Sequence, residues 1–275
     1  MIGQRYLKSQ LDSWIESNKL PRFILLIGQN GSGRKTMCKY IAQKSKMNCV
    51  ISEHSIDSIR NIVKQSYEVS LPTLYVIPDA GKLSNIAQNT LLKVTEEAPN
   101  NAYFVLTCES ATQVLNTLVN RSFLMHMDIY TLGDLREYIE QNYAGKYDKD
   151  IFKTVLLVCT TPGDIDLMFT YDIEGFISYV IKVVDNITVS SGANAFKIGS
   201  KISFKDDDTE KYNLDLFFKM FVNECINRIA NNDDITRYAK GIRVTDKYIN
   251  DLRINGVNKS ATFDMWVLDI RKEWR

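Results

Sequence analysis

The stretch FILLIGQNGSGRKT, residues 23–36, places an apolar run directly before a loop that contains three glycines. The run Phe23–Ile27 predicts a buried β-strand, and the residues that follow the loop have the apolar spacing of a helix. Glycines let the backbone curl so that consecutive N–H groups and the helix N-terminus point at an anion. Strand, glycine loop and helix in this order predict a phosphate-binding loop. Its candidate nucleotide-binding residues are Gly28, Asn30, Gly31, Ser32, Gly33, Arg34, Lys35 and Thr36.

The end of this loop departs from the usual motif, G-x-x-x-x-G-K-[ST]. In the motif the lysine reaches the outer phosphates and the hydroxyl binds magnesium. Gly28 and Gly33 have the separation that the motif requires, but Arg34 takes the lysine position and Lys35 takes the hydroxyl position. Arg34 can still attract phosphate, whereas Lys35 cannot coordinate a magnesium ion. These residues leave open whether the loop binds a nucleotide.

A second element of the site follows the strand in LYVIPDAGKL, residues 74–83. Phosphoryl-transfer enzymes with a phosphate loop carry an acidic residue here that holds the metal. Pro78 comes first and has no charge, so Asp79 is the remaining candidate, a degenerate version of the acidic motif. Asp79 also fits an ordinary turn after a strand. The loss of a hydroxyl at position 35 and of an acid at position 78 predicts that the chain does not hydrolyse nucleotide.

Composition narrows the class of protein. The chain has 275 residues, of which 45% are hydrophobic and 24% are charged, as in a soluble globular protein of two or three domains. A net charge of +1 excludes a globally basic nucleic-acid binder but permits a local basic patch. The absence of a long apolar run and of a secretory signal pattern predicts a cytoplasmic protein without a membrane partner. We expect no metal site, because the cysteines form no CxxC pair; they are Cys38, Cys49, Cys108, Cys159 and Cys225.

The first 130 residues alternate short apolar runs with helical patterns, which predicts a parallel sheet covered by helices on both faces. The expected strands are Phe23–Ile27, Cys49–Ser52, Leu74–Ile77, Tyr103–Cys108 and Leu124–Ile129. One helix is expected to pack on this sheet through Leu83, Ile86, Ala87, Thr90, Leu91 and Val94.

The rest of the chain predicts helices. Residues 131–187 contain three helical patterns, LGDLREYIEQ, DIFKTVLLVCTT and IEGFISYVIKVVDNI, with a turn at Pro162 and Gly163. Residues 188–275 contain helical patterns around a polar run, KDDDTEKYN, which predicts a loop. Their two apolar stripes predict internal packing, with a subunit interface as the alternative. The stripes are Leu214, Phe217, Phe218, Phe221, Val222, Cys225, Ile226 and Ile229, then Phe263, Trp266, Val267, Ile270 and Trp274.

Segments along the whole sequence resemble one protein family. The segment LYVIPDAGKLSNIAQNTLLKVTEEAPNNAYFVLTCES, residues 74–110, followed by NTLVNRS, residues 116–122, resembles the clamp-loader subunits of replicative DNA polymerases, in particular the delta-prime subunits of bacterial DNA polymerase III. The opening residues 1–28, the turn TPGDIDLM and the segment INGVNKSATFDMWVLDIR are similar to their counterparts too. The resemblance implies three parts: a RecA-like AAA+ module (1–130), a helical lid (131–187) and a helical collar (188–275) that holds a ring of subunits together.

The resemblance also implies partners and a role. Members of the family load sliding clamps onto primer-template DNA, together with homologous clamp-loader ATPase subunits and a clamp-opening subunit. Their S-R-C motif gives an arginine to the nucleotide of the adjacent subunit, and here the matching residues are Asn120, Arg121 and Ser122. Arg121 is therefore the candidate trans arginine finger, with a plain surface arginine as the alternative.

Two further positions bear on activity. Thr107–Glu109 falls in the sensor-one region, and the lid arginine of the motor subunits is missing, because Asp166 and Leu167 follow Ile165. The preferred interpretation is a noncatalytic subunit with no assigned cofactor, for which ATP or ADP is the candidate ligand. The alternative is a divergent AAA+ ATPase of DNA replication with its own nucleotide hydrolysis.

Overall fold

The computed structural model describes residues 2–97, 99–146, 148–189, 197–204, 210–231, 233–254 and 256–274. Its contacts divide the chain into two compact units. The first unit contains Met1–Tyr138 with Thr161–Gly163, and the second contains Ile139–Thr160 with Asp164–Arg275. The division into parts 1–130, 131–187 and 188–275 stays a prediction.

The first unit is built on a five-stranded sheet in which every pairing is parallel. The order of its strands is β2-β3-β4-β1-β5, so β1 lies between β4 and β5. All residues of β1 and β3 are buried, which explains their continuous apolar sequences. The parallel sheet predicted from the sequence is confirmed. Its strands are β1 (Phe23–Ile27), β2 (Asn48–Ile51), β3 (Thr73–Ile77), β4 (Ala102–Cys108) and β5 (Phe123–His126).

Helices cover both faces of this sheet. Alternate residues of a strand point to opposite faces, so Leu25 joins one apolar cluster and Ile24 joins the other. Leu11 and Ile41 belong to the cluster of Ile24, and Ile59 belongs to that of Leu25. The helices as far as the end of the sheet are α1 (Arg5–Glu16), α2 (Arg34–Lys44), α3 (Ile56–Glu68), α4 (Asn85–Thr90), α5 (Leu92–Glu96) and α6 (Asn116–Val119).

The helix predicted over residues 83–94 is divided into α4 and α5. At the division the Leu91 amide donates to the Gln88 carbonyl, a bond between residues three apart that tightens the turn. Leu83, Ala87, Leu91 and Val94 are buried as predicted. Ile86 was predicted wrongly, because 64% of its surface is exposed.

Strand β5 ends at His126, three residues earlier than predicted. The Asp128 carboxylate accepts hydrogen bonds from the Tyr6 and Leu7 amides, at the first turn of α1. The Gln4 side chain bonds both the amide and the carbonyl of Asp128. These bonds take Asp128 out of the sheet, so Ile129 is exposed instead of paired.

The remaining chain is mainly helical, as predicted. α8 ends at Val158 and α9 begins at Pro162, so the chain turns over residues 159–161. Proline is favoured at the first helical position. A backbone N–H there has no partner within the helix, so the helix loses no hydrogen bond when proline lacks it. The short helix α9 was missed in the sequence, and residues 205–209 of the predicted polar loop lie outside the described residues. These elements are α7 (Leu132–Tyr143), α8 (Lys149–Val158), α9 (Pro162–Met168), α10 (Ile173–Asn186), β6 (Ile202–Ser203), β7 (Tyr212–Asn213), α11 (Leu214–Ala230), α12 (Ile235–Asp251) and α13 (Lys259–Glu273).

The aromatic stripes of α11 and α13 pack on each other inside the second unit. The Trp266 ring is fully buried, and its centroid lies 4.9 Å from that of Phe221 and 5.2 Å from that of Phe218. Its indole N–H donates to the Thr245 hydroxyl of α12. Internal packing of these aromatic residues is confirmed, whereas Ile226 is an exposed exception. In the described ranges of the chain, no helix is long and apolar enough to cross a membrane.

Candidate functional site: a phosphate loop and an exposed arginine

The glycine loop connects β1 to α2 and has the backbone that its sequence predicts. Gly31 and Gly33 have φ angles of 75° and 87°, in the left-handed region that favours glycine. At Gly28 a Cβ atom would lie only 2.5 Å from the Met127 side chain. Glycine is therefore needed at these three positions by conformation or by space.

Arg34, at the lysine position of the motif, is turned into the protein. It is 7% exposed, and its Nη2 lies 2.9 Å from Oδ1 of Asp79. Asp79 has a left-handed φ of 44°, and its amide donates to the Thr107 hydroxyl at 3.0 Å. The structure thus brings together three candidate positions from the phosphate loop, the acidic element and the sensor-one region. Sequence reasoning placed Arg34 and Asp79 in one site but missed their direct ion pair.

Two polar atoms of the loop are buried without a hydrogen-bond partner. They are the Ser32 hydroxyl oxygen and Nη1 of Arg34, counted within the part of the chain that the structure describes. Leaving a buried polar group unsatisfied costs about 1–3 kcal/mol. Both groups can donate hydrogen bonds, so an oxyanion in the loop would stabilise them.

The donor set does not fit a magnesium ion. Lys35 places an ammonium group where the motif has its magnesium-binding hydroxyl, and the Pro78 carbonyl lies 2.8 Å from Nε2 of His54. The Asp79 carboxylate is already bonded to Arg34. Across the described residues, no group of three or more histidine, cysteine or acidic side chains could hold a metal ion. The unpartnered donors on Ser32 and Arg34 are suited to binding an anion.

Three other residues contact the backbone of the loop. The Tyr130 hydroxyl donates to the Ser32 carbonyl at 2.8 Å, and the Gly163 amide donates to the Gly31 carbonyl at 3.0 Å. The Thr161 hydroxyl donates to the Asn30 carbonyl at 3.3 Å. A Cβ atom on Gly163 would lie 2.3 Å from the Gly31 Cα, so two glycine backbones touch here. Sequence reasoning assigned Gly163 only to a turn, because its partner is 132 positions away.

Buried thiols lie near Arg34. Burial raises the pKa of Cys38 to about 12 and that of Cys108 to about 11, and the positive charge of Arg34 partly opposes both increases. Both thiols are therefore neutral at physiological pH, which makes them poor nucleophiles. We assign them to packing around the loop.

Arg121 lies between α6 and the edge strand β5, and it faces outward. It is 41% exposed, its Nη2 is 2.9 Å from Oε1 of Glu96, and its Nη1 donates to the Thr117 carbonyl at 3.3 Å. The guanidinium is not in the interior of its own unit. An arginine in this place can contact a neighbouring molecule.

Comparisons with known proteins find similar DNA-replication subunits. Residues 44–130 match the family model described as DNA polymerase III, delta subunit. Over 191 residues the chain is 21% identical to the DNA polymerase III subunit gamma of Buchnera aphidicola subsp. Schizaphis graminum. The alignment covers 56% of this chain and 52% of that protein. Over 148 residues the chain is 23% identical to the replication factor C small subunit of Natronomonas pharaonis. This alignment covers 49% of this chain and 44% of that protein. These matches support the resemblance to the clamp-loader AAA+ family over part of the chain.

The chain spans about half the length of the curated relatives that it matches. Solved structures agree on the fold. A gamma subunit-related protein of Thermotoga maritima aligns with a TM-score of 0.50 and 15% identity over 97% of this chain and 100% of its own. The RuvB Holliday junction branch migration motor of the same organism aligns with a TM-score of 0.52 and 18% identity. This alignment covers 95% of this chain and 80% of the RuvB chain. At such identities the likeness shows an AAA+ fold with a helical C-terminal part and nothing more.

Proposed function

We propose that this chain is a noncatalytic, delta-prime-like subunit of a clamp loader in DNA replication. It would act as a stator that braces the assembly and would donate Arg121 to the ATP site of a neighbouring subunit. The observation that carries the first half of this proposal is the ion pair between Arg34 and Asp79.

The ion pair engages the two groups that a working site would direct at nucleotide and metal, although Nη1 of Arg34 keeps an unused donor. Arg34 takes the place of the lysine that contacts the outer phosphates, but here it bonds a carboxylate of its own unit. Asp79 would be the acid nearest the metal, and it is neutralised by that contact. Arg34 is buried and the Asp79 side chain is 25% exposed, so removing Asp79 would leave a buried charge without a counter-ion. The intact pair therefore stabilises a state that competes with magnesium and ATP.

The exposure of Arg121 supports the second half of the proposal. An arginine supplied by a neighbouring subunit stabilises the charge that develops on the transferring phosphoryl group. In this role the chain acts on another subunit's reaction and needs no chemistry of its own. Its partners would be homologous ATPase subunits and a clamp-opening subunit, and through the assembly the sliding clamp and primer-template DNA.

Nucleotide binding and hydrolysis by the isolated full chain test the proposal. We expect no phosphate release above background and no magnesium-dependent gain in ATP affinity, measured by calorimetry with and without the metal. Arg60→Ala, which changes an exposed arginine of α3, is the matched control. Steady hydrolysis that disappears in Arg34→Ala or Asp79→Ala would refute the noncatalytic assignment.

A second candidate function is a divergent AAA+ ATPase that binds and hydrolyses nucleotide itself. The observation that favours it is the pair of buried, unpartnered donors in the loop, on Ser32 and Arg34. This candidate predicts tight ATP binding that requires magnesium. Weak binding of ATP or inorganic phosphate that is indifferent to magnesium would instead agree with a loop that keeps an anion site without catalysis.

A further inference from the structure

The partner of Arg121 within its own unit is Glu96, the last residue of α5. Nη2 of Arg121 lies 2.9 Å from Oε1 of Glu96, within the range of a charge-assisted hydrogen bond. Nη1 donates to the Thr117 carbonyl of α6. One guanidinium therefore has two contacts, one on each of two helices.

The helix that carries Glu96 does not itself account for a carboxylate at this position. Carboxylates stabilise the N-terminal end of a helix and oppose the partial negative charge at its C-terminal end. Glu96 stands at the unfavourable end of α5, and Arg121 supplies the compensating charge. Glu97, the next residue, is also exposed and acidic but makes no contact with Arg121.

The two contacts leave Arg121 able to bind a further anion. A guanidinium has five N–H donors, and the contacts with Glu96 and Thr117 use one donor on each terminal nitrogen. The side chain is 41% exposed, so part of it is accessible to a partner. A free arginine side chain loses rotamer entropy when it is fixed, and two existing contacts reduce that loss.

The geometry points to Glu96 as the positioning residue of the trans arginine: it holds the Arg121 guanidinium ready for the phosphate oxygens of a neighbouring subunit's nucleotide. This inference rests on the proposed function of Arg121. Glu96 acts through Arg121 and does not itself touch the nucleotide.

Labelling of the full chain with phenylglyoxal, an arginine reagent, tests the contact without any partner. We expect Glu96→Gln to raise the modification rate of Arg121 about two- to fivefold, as read by peptide mass spectrometry, because an exposed ion pair is worth that much. Glu97→Gln removes the same charge one residue away and should leave the rate unchanged. Equal rates in both variants would show that the pair does not hold Arg121 in solution and would overturn the inference.

Steady-state ATP hydrolysis tests the role, in a clamp loader reconstituted with the ATPase and clamp-opening subunits of the source organism. We expect Glu96→Gln to lower kcat about two- to fivefold with an unchanged KM for ATP, whereas Glu97→Gln matches the unmodified chain. In the double variant Arg121→Ala/Glu96→Gln the second change should add nothing, because Glu96 acts only through Arg121.

The outcomes separate this inference from the function on which it rests. If Arg121→Ala leaves turnover unchanged, the arginine-finger function fails and the role of Glu96 fails with it. If Arg121→Ala lowers turnover while Glu96→Gln behaves like Glu97→Gln, or raises turnover, only the role of Glu96 is overturned.

Discussion

Two arginines of the same unit have opposite environments. Arg34 is buried in the phosphate loop, and its charge is matched by Asp79, which follows strand β3 of the same unit. Arg121 lies at the sheet edge, where its ion pair with Glu96 is largely open to solvent. The Arg34 side chain of the phosphate loop therefore points into the protein, whereas the Arg121 side chain at the edge of the sheet points toward solvent.

The difference bears on what each arginine can do. A buried, paired guanidinium stabilises its own fold and is costly to expose, whereas an exposed one is held weakly and can change partners. Both residues lie in segments that resemble nucleotide-handling motifs, and sequence similarity alone does not show which arginine is buried and which is exposed. The four predictions below test this contrast, from the largest expected effect to the smallest.

Arg121→Ala should have the largest effect, on another subunit's reaction. We expect ATP turnover at the neighbouring site to fall about 10³-fold, because a trans arginine stabilises the transferring phosphoryl group. The mass of the assembled complex should not change. Single-turnover hydrolysis and native mass spectrometry check the two statements, with Arg60→Ala as the control. Unchanged turnover, or loss of the complex, would contradict the outward role.

Asp79→Asn should destabilise the first unit by about 2–3 kcal/mol, because it leaves the Arg34 charge buried without a counter-ion. Asparagine tolerates the left-handed backbone of position 79, so strain does not confuse the result. Hydrogen exchange of the β1 amides in the full chain measures the change.

The control for this prediction is Asp57→Asn, which breaks the exposed ion pair with Arg60 and should cost less than about 1 kcal/mol. If Asp79→Asn and Asp57→Asn have equal effects, the inward pair is no stronger than a surface pair and the contrast between the two arginines fails.

Gly163→Ala should cost about 1–3 kcal/mol, because the new methyl group would overlap the Gly31 backbone. It should also raise the rate of proteolysis within the phosphate loop. Gly133→Ala is the control, because its new Cβ would meet only the Thr131 hydroxyl, at an ordinary contact distance of 3.6 Å. Replacing a glycine by alanine within a helix also stabilises the helix. Full stability of Gly163→Ala would mean that the loop is not held by this contact.

Arg5→Ala should have the smallest effect. Arg5 is 86% exposed and 3.8 Å from Asp134, and we expect a change below about 0.5 kcal/mol. The pKa of Asp134 is lowered first by the Thr131 hydroxyl and then by its amide, with Arg5 the weakest of the causes that lower it. NMR titration should therefore find the pKa of Asp134 still low in Arg5→Ala.

The low pKa also fixes the sign of the pH dependence. The folded state binds a proton at Asp134 less readily than the unfolded state does. The stability that Asp134 contributes is therefore fully present above the pKa of the unfolded chain and is lost as pH falls through the lower, folded pKa. A large rise of the Asp134 pKa in Arg5→Ala would show that an exposed arginine interacts strongly with its carboxylate. That result would contradict the contrast between buried and exposed arginines.

The sequence by itself determined the architecture of the first unit. Continuous apolar runs such as Phe23–Ile27 can be satisfied only by burial on both faces, and the glycines of the loop are required by backbone angles that other residues resist. The substitutions at positions 34, 35 and 78 could be read directly against a motif with fixed spacing. These features are local, so a linear pattern is enough to predict them.

Tertiary structure decided which groups meet. The pairs Arg34 with Asp79, Gly31 with Gly163, and Arg121 with Glu96 each join residues far apart in sequence, and no local spacing encodes them. The exit of Asp128 from β5 has the same origin, because its partners lie at the start of α1. Whether a charge is buried or displayed depends on what the fold packs against it, and that is decided only when distant segments come together.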